Sequence, residues 1–176
     1  MRLKNMKIAY LVGPGFEDLE FWVPLMRLRE EGASVTVVGL KAEETYTGKT
    51  GLSATAEKGA DDISAADFDA LVIPGGWAPD KLRRPEIVKR FVREIHDAGK
   101  IIGMICHAGL VGISAGIVKE HDATGSEGIK DDLINAGARW RDEPAFRDGN
   151  LVWGRVVEDI PDFCRELVAA LEGWSA

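Results

Sequence analysis

The chemistry in this chain concentrates in Ile101-Ile102-Gly103-Met104-Ile105-Cys106-His107-Ala108-Gly109. An apolar run ends in a cysteine and a histidine, and small residues follow. A cysteine attacks carbonyl carbons as its thiolate, so its reactivity follows its protonation state. The run reads as a strand and the residues after it as a short helix. Cys106 then lies on a strand-to-helix turn, the geometry of a nucleophile elbow. The positive end of that helix is expected to favour the thiolate.

Two other apolar runs end in residues of the same kind of interest. Residues 7–12 lead into Gly13-Pro14-Gly15-Phe16-Glu17, and residues 69–74 into Gly75-Gly76-Trp77-Ala78-Pro79-Asp80. Ligands of open parallel sheets bind beyond the C-terminal ends of the strands. If these three strands are neighbours, a carboxyl, glycine amides and the cysteine meet in one crevice. The N–H groups of Gly76 and His107 would form an oxyanion hole. Glu17 would hydrogen-bond the sulfur in its protonated form, since a buried carboxyl beside a negative charge keeps its proton. Taken alone, Glu17 reads first as a helix cap. His107 follows the nucleophile directly. Its ring is expected to turn away from the sulfur, pair with a carboxylate elsewhere and move substrate protons. Trp77 is placed on the rim of the crevice.

The elements that must position these groups alternate. After the strand at residues 7–12 comes a helix reaching about Glu31, which Pro24 should kink or divide. A strand at 35–40 and a small hairpin within 43–60 follow. Then come a helix starting at Pro85, the strand before Cys106, helices at 108–115 and 129–136, a strand at 151–156 and a helix at 159–172. Short apolar strands alternating with helices specify an α/β fold with a mainly parallel sheet covered on both faces. One domain over residues 1–176 accommodates the pattern.

Several function classes are disfavoured. A formal net charge of −7 without a Lys/Arg cluster argues against a stable nucleic-acid partner. No run approaches a membrane span, and the apolar run after the basic N-terminus is too short for a signal peptide, so a cytoplasmic location is expected. No Cys/His spacing suggests a metal site. No G-x-G-x-x-G opens a helix and no Ser/Thr-rich loop would hold a flavin phosphate, so no cofactor is expected. Cys164 falls on an apolar helical stripe with Ile160, Phe163, Leu167, Val168 and Leu171 and reads as core. His96 is expected on a solvated helix face and His121 in a charged turn.

Four stretches together resemble the PfpI family of the ThiJ/PfpI superfamily: Gly15-Phe16-Glu17-Asp18-Leu19-Glu20, Pro74-Gly75-Gly76-x-Ala78-Pro79, Ile105-Cys106-His107-x-Gly109 and Gly128-Ile129-Lys130-Asp131-Asp132-Leu133. The resemblance runs from about residue 7 to 171. It implies a flavodoxin-like three-layer sandwich, as in class I glutamine amidotransferase domains, with Cys106 as nucleophile and Glu17 as its carboxyl partner. It also implies oligomers, dimers that in some relatives assemble into hexamers. In the protease-like branch a neighbouring subunit supplies the acid of a Cys-His-acid triad, at the position of Asp80. That acid is a glutamate in archaeal relatives, one methylene longer. Those relatives carry a tyrosine where this chain has Ser126, which would open the pocket here.

The resemblance thus implies a cysteine hydrolase acting on carbonyl groups of small or peptide substrates, as an intracellular peptidase or a deglycase/glyoxalase-like stress enzyme. The rival reading is a redox-sensing stress or chaperone protein whose Cys106 is oxidised. A glutamine amidotransferase subunit is disfavoured, since residues 157–176 contain no histidine.

Overall fold

The computed structural model describes residues 1–174. Strand β1 (Lys7–Leu11) is followed by helix α1 (Asp18–Glu30) and strand β2 (Ser34–Gly39). A hairpin of β3 (Thr45–Thr47) and β4 (Ser53–Thr55) leads to β5 (Lys58–Gly59). Next come β6 (Ala70–Ile73), α2 (Ala78–Leu82), α3 (Glu86–Asp97), β7 (Ile101–Ile105) and α4 (Gly109–Ala115). The chain continues through β8 (Asp122–Ala123), α5 (Lys130–Asn135), β9 (Arg139–Trp140), β10 (Ala145–Asp148), β11 (Leu151–Gly154) and α6 (Ile160–Glu172).

Seven strands form one sheet in the order β10-β11-β7-β6-β1-β2-β5. Only β10 runs antiparallel to its neighbour within it. Every residue of β6, β7 and β11 is buried, which explains their unbroken apolar sequences. Consecutive strand residues face opposite sides. Gly103 lies under Phe163 and Leu167 of α6, while Met104 meets Gly112 of α4. Helices therefore cover both faces, and the three-layer α/β expectation holds. The order β7-β6-β1 makes the three chemically unusual strand ends neighbours.

Three features differ from the expectations. Helix α1 runs through Pro24 without dividing. A proline cannot donate to the carbonyl four residues earlier, which is that of Glu20. The buried Tyr10 hydroxyl donates to the Glu20 carbonyl instead, at 2.7 Å. Second, strands β8, β9 and β10 went unread: two are two-residue bridges, and β10 alternates buried and exposed residues too briefly to stand out. Third, His96 and His121 are not solvated singly. Their rings meet edge to face at 5.8 Å, and His121 Nδ1 lies 3.0 Å from an Asp148 carboxylate oxygen. The hairpin within residues 43–60 is present as β3–β4, and Cys164 is buried on α6. Among the described residues no helix is long and apolar enough to cross a membrane.

The hairpin is tied to α1. The buried Asp18 carboxylate accepts the N–H groups of Thr50 at 2.9 Å and Leu52 at 2.7 Å. Burial pushes this carboxyl up, and those N–H groups outweigh it and hold the group below its usual range. The tie sets the hairpin tip, including Lys49, at the mouth of the crevice.

Tyr10→Phe leaves the Glu20 carbonyl buried and unpaired, and is expected to lower stability by about 1–3 kcal/mol in urea denaturation. Pro24→Ala in the same protein restores the intrahelical donor and should recover most of the loss; no recovery would separate Tyr10 from the proline.

Candidate active site

Cys106 follows directly on β7 in the left-handed region, at φ 61°. This backbone is uncommon for a residue with a side chain and marks a strained position. The turn lifts the side chain off the sheet edge, as the sequence suggested. The residues after it form a 3-10 turn that runs into α4.

The carboxyl beside the sulfur is that of Glu20, not Glu17. Glu17 is the N-cap of α1, its side chain accepting the Glu20 N–H at 3.0 Å. Three residues further on, the helix turns Glu20 inward, onto the stripe that buries Phe21, Pro24, Leu25 and Leu28. Glu20 is fully buried, and its Oε2 accepts the Gly75 N–H at 2.8 Å. Its Oε1 is buried without a partner among the described residues. A charged residue on an apolar stripe was the sequence signal for it, since such a group needs a buried partner.

Glycines make this packing possible. A Cβ on Gly75 would collide with Glu20 Oε2 and stand 2.6 Å from Cys106 Cβ and 3.0 Å from its sulfur. Gly76 adopts φ 82°, and a Cβ there would stand 2.5 Å from the Gly15 carbonyl oxygen. The close approach aligns the first and third loops: Trp77 N–H donates to Gly15 at 2.8 Å and Glu17 N–H to Gly75 at 3.1 Å. The backbone N–H groups of Gly76 and His107, the two named for an oxyanion hole, both favour the charged form of the Cys106 sulfur.

His107 also departs from expectation. Its ring folds back, with Nδ1 3.3 Å from Cys106 Sγ. The positive φ at Cys106 redirects the chain and allows two adjacent side chains to meet. Burial lowers the His107 pKa and the Lys49 cation lowers it further, while Asp132 opposes them. Burial pushes the Cys106 thiol up to about 12, the Glu20 charge adds to this, and the two backbone N–H groups work against it. Burial and the Glu20 charge thus oppose the thiolate that the helix was expected to favour. Burial likewise raises Glu20 to about 7, helped by the charge of Glu17.

The remaining named residues surround this centre. Trp77 lies at the rim, 65% exposed, with Lys49 Nζ 5.5 Å from its ring centroid. Ser126 donates its N–H to the Cys106 carbonyl at 3.2 Å. Asp80 sits on α2 and pairs with Arg84 at 2.6 Å; it makes no hydrogen bond to His107 within the chain. Lys49 and Asp132 were not foreseen, because only the folded hairpin and α5 bring them to the histidine.

Two titrations follow. Glu20 binds a proton more tightly folded than unfolded, so between its ordinary value of 4.5 and about 7 the native state holds more protons. Stability attributable to this group therefore falls as pH rises through that window, by roughly 3 kcal/mol at most. Glu20→Gln should flatten the slope of denaturation free energy over the same range; an unchanged slope would mean Glu20 titrates normally. Removing the cation with Lys49→Met should raise the His107 pKa, read by NMR titration of its ring protons, and a fall would contradict the assignment.

The sequence matches the DJ-1/PfpI family over residues 6–170. It is 39% identical to "Deglycase PfpI" of Pyrococcus furiosus over 95% of this chain and 100% of that protein. It is 37% identical to "Protein/nucleic acid deglycase 2" of Escherichia coli over 95% of this chain and 98% of that protein. Among solved structures, a two-domain protein of Anabaena variabilis with DJ-1/ThiJ/PfpI-like and ferritin-like domains superposes with a TM-score of 0.93 at 39% identity. That match covers 95% of this chain, which spans about half (48%) of the two-domain protein. With the fold, the matched span and the relatives in agreement, the chain belongs to the DJ-1/PfpI family.

Proposed function

We propose that this protein is a cysteine-dependent enzyme acting on carbonyl compounds, as a deglycase or glyoxalase-like hydrolase, with peptide bonds as the alternative acyl substrate. The observation that carries the reading is His107 Nδ1 at 3.3 Å from Cys106 Sγ. The names of the curated relatives support the deglycase side.

The raised thiol and lowered imidazole make the resting pair neutral. As substrate binds, the Cys106 proton passes to His107 and the sulfur attacks the carbonyl carbon, forming a C–S bond. The carbonyl oxygen takes up the charge where the Gly76 and His107 N–H groups can receive it. With a 2-oxoaldehyde the adduct is a hemithioacetal. A base then carries the proton from the former aldehyde carbon to the neighbouring carbon, which leaves a thioester. Water hydrolyses the thioester to a 2-hydroxy acid and restores the thiol. With a peptide the same attack expels the amine, and water releases the acyl group. Glu20 in its protonated form shields the thiolate from a second negative charge.

Among the described residues no carboxylate is hydrogen-bonded to the His107 ring to orient it. Asp80 of a second copy fills that role in this proposal, which makes a homo-oligomer, a dimer or hexamer, part of the active site. Asp80 would have to exchange its Arg84 partner for the histidine.

Oxidation of Cys106 is the second reading, favoured by one observation. The buried Glu20 carboxyl packs against the sulfur above Gly75, where in its protonated form it would donate to a sulfinate.

Methylglyoxal consumption with lactate detection tests the proposal. The wild type should turn over and Cys106→Ser should not. His107→Ala should lose about 10²–10⁴-fold in kcat/KM, the usual worth of a general base. Asp80→Ala should lose activity without a change in sedimentation. A wild type that is inert towards methylglyoxal and peptides, with Cys106 selectively oxidised by mild peroxide, would replace the enzyme by the sensor.

A further inference from the structure

Beside the nucleophile lies a cavity of about 390 Å³, bordered by Gly125, Glu127, Lys130, Trp140, Arg155 and Val156. Its position follows from the sheet. Gly154, the last residue of β11, pairs in parallel with Ile105, the last residue of β7. Arg155 and Val156 therefore leave their strand where Cys106 leaves the adjacent one, about 5 Å away across the ladder. Residues 125–128 form the wall between cavity and nucleophile. A Cβ on Gly125 would stand 2.5 Å from the Cys106 carbonyl oxygen, and one on Gly128 would stand 3.4 Å from His107 Nε2. The wall therefore touches both catalytic residues on one side and borders the cavity on the other. Ser126, at its centre, carries a short side chain.

The charges around the cavity are unequally committed. Arg155 is held by Asp142 and by the buried Asp159, each at 2.8 Å. Asp142, also at the border, is satisfied by the same pair. Lys130 makes no ion pair among the described residues. Its Nζ stands 5.8 Å from the Trp140 ring centroid, which holds the side chain without neutralising it. Glu127 is exposed at the border, one helical turn before Lys130, and no bridge joins the two.

We propose that this cavity binds the non-reacting end of the substrate, and that Lys130 selects carbonyl compounds whose far end carries an anionic group, a carboxylate or a phosphate. The inference rests on the enzymatic reading of Cys106 and narrows its substrate class. Trp140 and Val156 supply apolar walls for the connecting atoms, which in this proposal cross the wall over Ser126 to reach the sulfur. Lys130 is a specificity-determining residue in this scheme and takes no part in bond making.

The test compares three 2-oxoaldehydes with one reactive end: phenylglyoxal, 4-carboxyphenylglyoxal and 4-phosphonophenylglyoxal. For the wild type, KM for at least one anionic compound should lie ten-fold or more below that for phenylglyoxal. Which anion gains more identifies the source. Lys130→Gln should raise only the anionic KM and leave kcat within about two-fold, while Lys130→Arg should retain most of the preference. Equal KM values in the wild type, or an anionic preference that survives Lys130→Gln, would overturn the proposal. Binding of unreactive 4-(hydroxymethyl)benzoate and benzyl alcohol by calorimetry separates this idea from the catalytic one. Tighter binding of the benzoate that Lys130→Gln abolishes would uphold the subsite even if no glyoxal is turned over. Equal binding of the two would remove it even if turnover is found.

Discussion

A carboxyl and a sulfur share the space above Gly75, and that space has no room for a methyl group. Much of the surrounding structure follows from this crowding. The carboxyl arrives on α1, so the helix must pass close over the end of β6 with Glu20 facing down. Glu17 starts the helix three residues earlier and sets its phase. Tyr10, from β1 below, fixes the Glu20 backbone by taking the carbonyl that Pro24 cannot serve. A buried acid, a buried tyrosine and a mid-helix proline thus belong to one arrangement. Each would be unfavourable alone; together they leave little freedom in where the carboxyl sits.

The same crowding decides the protonation states. Two acidic groups in contact within the core cannot both ionise cheaply. Burial raises both Glu20 and Cys106, and burial with the Lys49 charge lowers His107. The outcome is a site in which burial disfavours the charged form of each group, in a chain of formal net charge −7. Under the proposed function, a cysteine kept as a thiol until substrate arrives is also guarded against indiscriminate oxidants, because oxidation proceeds through the thiolate. In the proposed mechanism, reactivity comes from proton transfer over 3.3 Å to His107 rather than from a standing thiolate.

Most of the fold was legible because buried parallel strands and capped helices leave strong marks. Strands β1, β6 and β7 are short apolar runs ending in glycine or cysteine, and their adjacency follows the usual placement of sites at strand ends. Strand β10 was illegible because four residues on a half-covered edge carry little pattern. In the site, residue types were legible and directions were not. Glu17 and Glu20 are both acidic and lie three residues apart at the start of α1. Only the phase of the helix assigns one to the cap and the other to the core, and the buried stripe through Phe21 and Leu25 carried that information. The His107 ring was misplaced for a different reason: ordinary backbone geometry separates adjacent side chains, and the positive φ at Cys106 is a tertiary outcome.

That strain also accounts for where the site can vary. Cys106 at φ 61° and Gly76 at φ 82° are held by the sheet below and by backbone contacts between loops. Side chains in this inner shell are confined, since Gly75 and Gly76 admit no substituent without displacing backbone or catalytic atoms. The outer wall at residues 125–128 is different. It touches the Cys106 carbonyl and the His107 ring from outside, and Ser126 is bound there through its backbone N–H, which any residue except proline could provide. The proposals thus assign chemistry and substrate choice to separate parts of the fold. The crowded junction of α1, β6 and β7 confines the sulfur. The residues between β8 and β11 can vary without disturbing that junction.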